Sequence, residues 1–470
     1  FVLLTHAHID HSGLIPRLVA QGFKGAVYAT QATRDLAEVM LRDSGYLQEK
    51  EAEWEGRPAL YTMREAEVAV TRFIPVGYEE EVHPHASVRC VFRDAGHILG
   101  SATIEVSVGK KTLVFSGDLG QPGRPIMQDP VPVPAADVLL VESTYGNREH
   151  KSLAQTMDEL AYALTDTLRS RRGNVVIPAF AVGRTQEVIH LIAELVQQGR
   201  VPVHDLYVDS PMALAATRIT ARHADWKLET QGGPRIHFTE DLADSMKINA
   251  VRAGAVIVSA SGMCEGGRIR HHLRHNIARP ECALVFVGFQ AAGTLGRRIV
   301  DGADSVRLFG EDYPVKARVF TIGGLSAHAD QPARLEYSTV TRDVEAALAE
   351  HRIAVLPGVR EAGHERLHEA EREVVQRQGR RRSERHGHFA SQSCRLLGVQ
   401  AALLAIEQLI FRDLRGTDAR DRSLKLRRHQ EQAISAALGG QSFYDHSLWL
   451  DLWILLMTVP SVLGDRSNVR

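Results

Sequence analysis

The sequence predicts an α/β protein with more than one domain, and three observations support this prediction. Short apolar runs with strand character recur along the chain and, from about residue 148, alternate with stretches of helical periodicity. Such alternation is typical of a parallel-type sheet covered by helices. The length of 470 residues is sufficient for two or three domains with a large core. The composition, 44% hydrophobic and 24% charged, is ordinary for a globular protein.

The first predicted element is an apolar strand at the start of the chain, which runs directly into the sequence HAHIDH at residues 6–11. In an extended segment, residues two apart share a face, so His6 and His8 point the same way. Asp10 and His11 follow where the strand breaks, and they can turn toward a neighbouring second metal. Imidazole and carboxylate suit zinc, and packing alone hardly explains four such ligand types at this spacing.

Two later segments each place one further ligand type beside a strand-like run. The turn at residues 94–101 is flanked by glycines and holds His97, and the strand that ends at Phe115 is followed by Asp118. A lone His or Asp in a loop is usually a surface residue. Because both follow residues 6–11 in order, we predict instead that they belong to the same metal site.

The predicted elements divide the chain at about residue 147. Residues 1–147 alternate strands with one early helix, Gly13 to Gln21, whereas residues 148–310 alternate strands and helices and predict a parallel-type sheet. The clearest elements of this second region are the strands Val175–Ile177, Ala255–Val258 and Ala283–Val287 and the helix Thr185–Gln198.

The order HxHxDH, then His97, then Asp118 resembles the metal-binding signature of the metallo-β-lactamase superfamily. Further segments resemble its β-CASP group, which carries an inserted cassette, and within it the cleavage-and-polyadenylation-type branch with its bacterial and archaeal relatives. These segments are ESTYG at 142–146, PAFAVGRTQE at 178–187, VDSPMA at 208–213, SASGMCEGGR at 259–268 and GLSAHAD at 324–330. The resemblance covers roughly residues 1–335.

The resemblance implies a metallo-β-lactamase αβ/βα sandwich with an inserted α/β β-CASP cassette. The first part of the sandwich is expected at residues 1–147, the cassette at 148–310 and the return to the sandwich at 311–360. Because the chain starts at Phe1, inside a strand and without Met, we interpret the first part as N-terminally incomplete.

The resemblance also implies a chemistry: a zinc-dependent hydrolase that cleaves phosphodiester bonds of RNA with a metal-bound hydroxide. Two zinc ions per chain are expected. The implied catalytic residues are His328 as general acid, Glu142 as the residue that orients it, and Asp10, which is also an implied metal ligand. The implied metal ligands are His6, His8, Asp10, His11, His97 and Asp118, with Asp118 bridging the two ions.

One zinc ligand that the resemblance implies cannot be identified in the sequence. The family places a further zinc-binding His on an apolar strand some twenty residues beyond the general acid, but Pro357-Gly358 stand at that point here. His351, His364 and His368 are near in sequence, and none has the right context. The final ligand is therefore unassigned, and the sequence leaves open whether the second zinc site is complete.

Three hypotheses about function remain open from the sequence. The first is the zinc-dependent ribonuclease. The second is an enzyme of the same fold that acts on DNA or on a small ester, although the cassette argues against a small ester. The third is an RNA-binding partner with impaired catalysis. The sequence does not decide between endonuclease and 5′ exonuclease, nor does it give the RNA target or decide whether the protein is a homodimer.

The net charge of −1 means that RNA affinity has to come from local patches. Arg268 and Arg270 open a basic helix after a glycine-rich turn, where free N–H groups and the helix dipole favour phosphate. We predict phosphate contacts for both, with a solvated basic face as the alternative. Arg184 is a similar candidate, with a capping or buried ion-pair role as its alternative.

The remaining features concern the compartment and the tail. Four cysteines, at 90, 264, 282 and 394, lack CxxC spacing and indicate a reducing compartment, here the cytoplasm. No signal peptide or transmembrane helix is predicted. Residues 361–470 read as a divergent tail of unknown role, with a basic linker at 377–385. Residues 447–460 resemble the C-terminal end of bacterial polyprenyl-phosphate sugar phosphotransferases, or form an amphipathic helix too short to span a bilayer.

Overall fold

The computed structural model describes residues 1–333, apart from residues 57, 134–135, 143, 146–148, 225 and 227–231. Several predictions therefore lie outside the described residues. These are the tail at 361–470 with its linker and its last segment, the end of the return to the first domain, Cys394, and the candidates for the final zinc ligand, His351, His364 and His368.

The first layer is a three-stranded parallel sheet in the order β1-β2-β3, with helices on one face. Its strands are β1 (Val2–Leu3), β2 (Val27–Thr30) and β3 (Phe73–Val76). Its helices are α1 (Ile9–Ser12), α2 (Ile15–Ala20), α3 (Gln31–Glu55) and α4 (Met63–Val70). Leu36 and Leu41 of α3 and Ala66 of α4 pack against Val2 and Val27 of the sheet.

A second, five-stranded sheet lies against the other face of the first. Its strands are β4 (Glu81–His85), β5 (Val88–Asp94), β6 (Ala102–Val108), β7 (Lys111–Phe115) and β8 (Val138–Leu140), antiparallel except for the pair β7 and β8. Leu3 and Val76 of the first sheet share one core with Phe92 and Ile104 of the second. The outer face of the second sheet meets a helical turn at 331–333. The layers thus follow the predicted αβ/βα order.

Residues 1–147 contain more helix than predicted. The predicted helix at 13–21 is confirmed in substance as α2, but α3 and α4 were not expected. The second half of α3 reads QEKEAEWE, so charged residues hide its apolar periodicity. For α4 a signal was available, because Thr62 and Glu65 form a capping box that marks a helix start.

The third sheet has six strands, all parallel, in the order β11-β10-β12-β9-β13-β16. The prediction of a parallel-type sheet is confirmed. The strands are β9 (Val175–Pro178), β10 (Asp205–Asp209), β11 (Arg235–Phe238), β12 (Ala255–Ser259), β13 (Ala283–Phe286) and β16 (Arg318–Thr321), and the hairpin β14 (Ser305–Leu308) and β15 (Glu311–Pro314) lies beside them in sequence.

Helices cover both faces of this sheet. They are α5 (Leu153–Thr165), α6 (Arg184–Gln197), α7 (Pro211–His223), α8 (Leu242–Ile248), α9 (Ile269–Asn276) and α10 (Leu295–Val300). Val175 and Ile177 pack on the side of α5 and α6, whereas Val176 between them packs on the side of α9 and α10. A strand buried on both faces reads as a continuous apolar run, which is why these strands were predictable from sequence.

The chain leaves this sheet later than predicted. The predicted return to the first domain is at about residue 311, but β16 pairs with β13 through Thr321. The return is complete at His328, which pairs with Gly120, and at Ala329, whose N–H donates to the Leu119 carbonyl. Among the residues that the structure describes, no helix combines the length and the apolar character that a bilayer span requires.

Candidate metal centre

The predicted metal ligands converge at one place in the first domain. His6 and His8 follow β1, His97 follows β5, and Asp118 follows β7. One donor atom from each of these four residues lies within 4.8 Å of all the others. The four side chains follow the ends of three strands that are far apart in sequence, and they lie together at a single, largely buried point.

The separations between donor atoms fit a tetrahedral cation site. His8 Nδ1 lies 3.1 Å from His6 Nε2 and 3.3 Å from His97 Nε2. Asp118 Oδ2 lies 3.5 Å from His6 Nε2 and 3.4 Å from His97 Nε2. Ligands at zinc-type distances of about 2.0–2.1 Å in a tetrahedron stand about 3.3 Å apart. The cluster therefore has the spacing that a divalent metal ion requires.

Asp118 also faces a second group of ligands. Its other oxygen, Oδ1, lies 3.4 Å from His11 Nε2, and Asp10 Oδ2 lies 3.9 Å from the same nitrogen. His11 Nε2 is buried and lacks a well-formed hydrogen bond among the described residues. A buried ring nitrogen without such a partner is suited to a metal ion. Asp10 and His11 thus lie near Asp118, and their binding of a second metal ion stays a prediction.

Local sequence fixes the orientation of these ligands. The Thr5 hydroxyl lies 3.2 Å from His6 Nδ1, which leaves His6 Nε2 for the cluster. The Ser12 hydroxyl donates to the carbonyls of Ala7 and His8, and so it holds the turn at which the strand becomes α1. Gly120 allows the loop of Asp118 to touch the loop of His97, because a Cβ there would lie 1.9 Å from the carbonyl oxygen of Gly96.

Burial and nearby charges change the pKa values of these side chains in the direction that favours binding of a cation. It lowers the pKa of His6 and His97 well below the ordinary value, and it also lowers the pKa of His8. Burial acts to raise the pKa of Asp118, but its electrostatic interactions with His6 and His97 and its hydrogen bond with His11 prevail and hold that pKa well below its usual range. Neutral imidazoles beside an ionised carboxylate are the protonation states in which these residues bind metal.

His328 and Glu142 form a pair at the edge of the cluster. His328 Nδ1 lies 2.8 Å and 3.1 Å from the two oxygens of Glu142, and 3.9 Å from Asp118 Oδ2. Burial acts to lower the pKa of His328, but the hydrogen bond and charge of Glu142 prevail and raise it to about 9. Leu119 N–H donates to Glu142, so the carboxylate is itself held in place.

Sequence reasoning missed a residue that holds this pair in position. Arg124 donates to the carbonyls of Gly324 and Ser326, on the turn that carries His328, and it pairs with Glu187 of α6. It thereby ties a loop of the first domain to the chain that returns from the second. No local sequence pattern around Arg124 predicts this role, because its hydrogen-bond and ion-pair partners are far away in sequence.

The three arginines predicted to contact phosphate have protein partners. Arg184 is buried and pairs with Glu187, which is the ion-pair alternative of its two interpretations. The guanidinium of Arg268 donates to Asp209, and that of Arg270 lies over the ring of Phe309 with 5.0 Å to its centroid. Contact with phosphate stays a prediction for these residues.

Comparison with known proteins agrees with this architecture. A model described as the metallo-beta-lactamase superfamily matches residues 1–167, and one described as the Beta-Casp domain matches residues 185–299. Ribonuclease TTHA0252 of Thermus thermophilus is 37% identical over 347 residues, covering 72% of this chain and 78% of the relative. An RNase J-like protein of Methanocaldococcus jannaschii is 30% identical, covering 74% and 80%.

A third group of relatives is longer than the region it shares with this chain. The transcription termination factor FttA of Methanosarcina mazei is 33% identical over 358 residues, covering 72% of this chain and 55% of the relative. This chain therefore spans about half the length of that factor. The matched domains, the metal-ligand cluster and these relatives lead to one conclusion: the chain belongs to the metallo-β-lactamase superfamily and carries its Beta-Casp domain.

Proposed function

We propose that this protein is a zinc-dependent ribonuclease that hydrolyses phosphodiester bonds of RNA. The proposal depends mainly on the position of Asp118. Its Oδ2 atom lies within 3.5 Å of His6 Nε2 and His97 Nε2, and 3.9 Å from His328 Nδ1. A cation site and a proton donor thus border the same point. Two relatives named as ribonuclease and RNase J-like support RNA as the substrate.

The residues present would hold two zinc ions. His6, His8, His97 and Asp118 would bind one, and Asp118 with Asp10 and His11 would bind the other, whose final ligand is unassigned. When bound, zinc lowers the pKa of a coordinated water from about 15.7 toward about 7 and offsets charge on phosphate oxygens. The protein's contribution is to keep His6, His8 and His97 neutral and Asp118 ionised, so that these four side chains bind a cation at neutral pH.

His328 has the properties of a general acid. Its Nδ1 donates to Glu142, so Nε2 is the atom that can deliver a proton to the departing ribose oxygen. Because Glu142 raises its pKa to about 9, the ring carries that proton at neutral pH. Glu142 therefore both orients the ring and maintains its charge.

The direct test is cleavage of end-labelled single-stranded RNA by the purified full chain, with and without zinc chelation. We expect cleavage that chelation removes and added zinc restores, and little cleavage of a DNA strand of the same sequence. Intact RNA in the presence of zinc would contradict the proposal. The pattern of labelled products also distinguishes endonuclease from 5′ exonuclease.

The metal content provides a second, independent measurement. Elemental analysis should find two zinc ions in each chain if the unassigned ligand completes the second site, and one ion if it does not, since one ion requires roughly four ligands. His8→Ala should lower the zinc content, whereas His83→Ala, on exposed β4, should leave it unchanged. Protein that is free of zinc after purification with ample metal would contradict the assignment. The homodimer and the cytoplasmic location stay predictions.

A further inference from the structure

Two exposed phenylalanines lie at one edge of the six-stranded sheet. Phe180 follows β9 and Phe289 follows β13, and these two strands are parallel neighbours. Their carboxyl ends therefore lie at the same edge. The side chains are 42% and 55% exposed, although large apolar residues gain free energy from burial. An exposed pair of rings at one edge of a sheet is a candidate contact surface for a flat ligand.

This edge adjoins the metal centre. The ring centroid of His328 lies 6.2 Å from that of Tyr145, and the centroid of Tyr145 lies 6.5 Å from that of Phe289 in an edge-to-face arrangement. The distance between the ring centroids of Phe289 and His328 is therefore at most the sum of these two distances. His328 in turn lies 4.6 Å from the ring of His97, within the metal-ligand cluster. The exposed rings are a continuation of the site and not a separate patch.

The backbone holds Phe289 in place. The side-chain amide of Gln290 is buried and donates to the carbonyls of Gly262, Gly288 and Phe289, at 3.0, 3.1 and 3.1 Å. It thus ties the loop that carries Phe289 to the glycine-rich turn after β12. A ring presented on a fixed loop loses little conformational entropy when it binds a ligand.

Phe180 is held in a similar way. Its carbonyl accepts hydrogen bonds from the backbone N–H and the hydroxyl of Thr185, at 3.1 and 2.7 Å. Its ring lies against Gly262, where a Cβ would approach Phe180 Cδ2 to 3.0 Å, and it also borders Gly288. The absence of side chains at these two glycines lets the ring lie along the backbone that supports Phe289.

We propose that Tyr145, Phe180 and Phe289 form an aromatic platform on which bases of single-stranded RNA stack beside the scissile phosphate. This proposal rests on the proposed function. Stacking on aromatic rings is the usual way in which proteins hold unpaired bases, and it tolerates any sequence because every base has a π-face. The platform borders the point where a phosphate would meet the metal ligands, and this position favours a nucleotide over an apolar peptide.

The test measures RNA affinity of the full chain after chelation, so that binding is read without cleavage. Base–aromatic stacking typically amounts to a factor of about 5 to 150 in affinity for each base. We expect Phe289→Ala to weaken binding of a single-stranded oligonucleotide by a factor in this range and Phe289→Trp to retain affinity. Trp54→Ala is the matched control, because Trp54 is an aromatic side chain on α3 that is 86% exposed.

A series of oligonucleotides with one abasic position each identifies the stacked base. In the unsubstituted protein, at least one abasic position should weaken binding by a similar factor, and Phe289→Ala should remove that sensitivity. Equal affinity of Phe289→Ala and the unsubstituted protein, or an unchanged abasic profile, would overturn the platform. These outcomes differ from failure of the proposed function, which would appear as intact RNA when zinc is present.

Discussion

At the scale of single residues, histidine is proposed to have two different functions at different positions of the site. His6 and His97 are buried among other imidazoles, and burial lowers their pKa so that they remain neutral. His328 is only partly buried, and the carboxylate of Glu142 raises its pKa to about 9. A neutral imidazole can bind a cation and a charged imidazole can deliver a proton, so the position of the Glu142 carboxylate is consistent with the two roles that we propose.

The first prediction concerns His328. Since we propose that His328 donates a proton, although it also lies with Asp118 and Glu142 in a group that could hold a metal ion, His328→Ala should reduce turnover by about 10²–10⁴-fold with unchanged zinc content. Glu142→Gln should reduce turnover more mildly, because it removes the orienting charge and leaves the ring. Steady-state kinetics with elemental analysis of each variant measures both effects.

A substrate with a better leaving group provides the control for this prediction. Such a substrate needs no protonation on departure, so His328→Ala should recover much of the lost rate on it. His83→Ala, which removes an exposed histidine that pairs with Glu81, should behave as the unsubstituted protein on both substrates. Loss of zinc in His328→Ala, or undiminished RNA cleavage, would contradict the role of general acid.

The sequence predicted most of the metal cluster because each ligand follows a strand in a recognisable order. His6, His97 and Asp118 could be assigned without knowledge of the distances between them. Arg124 and Phe289 could not be assigned, since their roles depend on which loops the folded chain brings together. Such contacts between distant segments leave no periodic signal in the sequence, and only the topology reveals them.

At the scale of elements, a buried carboxylate connects the strands and helices of the second domain. Asp209 ends β10, and it accepts hydrogen bonds from Ser245 of α8 and His272 of α9 at 2.6 Å each. Arg268 pairs with it at 2.8 Å. The motif that holds Asp209 was recognised in the sequence, but this contact set was not. Because a buried charge is stable only with such partners, we expect Asp209 to be important for stability.

The second prediction is the pH dependence of this network. Burial acts to raise the pKa of Asp209, but the hydrogen bonds from His272, Ser245, Thr239 and Arg268 prevail and hold it well below the ordinary value. The unfolded chain has the ordinary pKa of about 3.9, so the stabilisation is complete above that pH and is lost as the pH falls toward the folded pKa.

Asp209→Asn should therefore lower the free energy of unfolding at pH 7 by about 3–5 kcal/mol. The difference between the variant and the unsubstituted protein should narrow as the pH falls below about 4, because the unfolded chain then binds a proton at Asp209 while the folded chain keeps this carboxylate ionised. Thermal melting between pH 7 and pH 3 measures this difference. Asp158→Asn, at an exposed carboxylate paired with Arg200, is the control and should shift melting little at any pH. A difference that stays constant with pH would contradict the account.

The third prediction concerns Arg124, which joins the turn of His328 to a loop of the first domain. Arg124→Ala removes two hydrogen bonds to that turn, so the general acid should lose its alignment. A displacement of about 1 Å can cost about 10²-fold in rate, and we expect a fall in kcat of up to that size with little change in KM.

Two comparisons separate positioning from a general loss of folding. Zinc content should be unchanged in Arg124→Ala, since Arg124 touches no metal ligand, and Arg124→Lys should recover part of the rate by restoring the charge beside Glu187. Arg318→Ala, at an exposed arginine that pairs with Asp166, should retain full activity. If KM rises while kcat is unchanged, Arg124 contributes to substrate binding instead.

At the scale of the whole molecule, the two domains share one core. Helix α7 starts after β10 of the second domain, yet its Ala216 and Ile219 are buried with Leu36 and Leu41 in the first domain's helix layer. His223 at the end of α7 pairs with Asp35 of α3 at 2.9 Å. The metal ligands come from one domain and the His328 turn returns from the other, so the site depends on this junction.

The last prediction tests that dependence at Ile219, which is 4% exposed. Ile219→Ala leaves a cavity between α7 and α3 and should destabilise the protein by about 2–5 kcal/mol, as truncation of a buried aliphatic side chain does. Because the proposed metal ligands of the first domain are untouched, the metal content should be retained. Turnover should fall, because the His328 turn is positioned by both domains.

Leu242→Ala, on an exposed face of α8, should change stability by less than about 0.5 kcal/mol. Calorimetric melting of the zinc-loaded proteins, together with kinetics below the melting range, measures both effects. If Ile219→Ala lowers the melting temperature but leaves turnover at the unsubstituted level, the junction stabilises the fold without positioning the acid, and the alignment of His328 then depends on Arg124 and Glu142 alone.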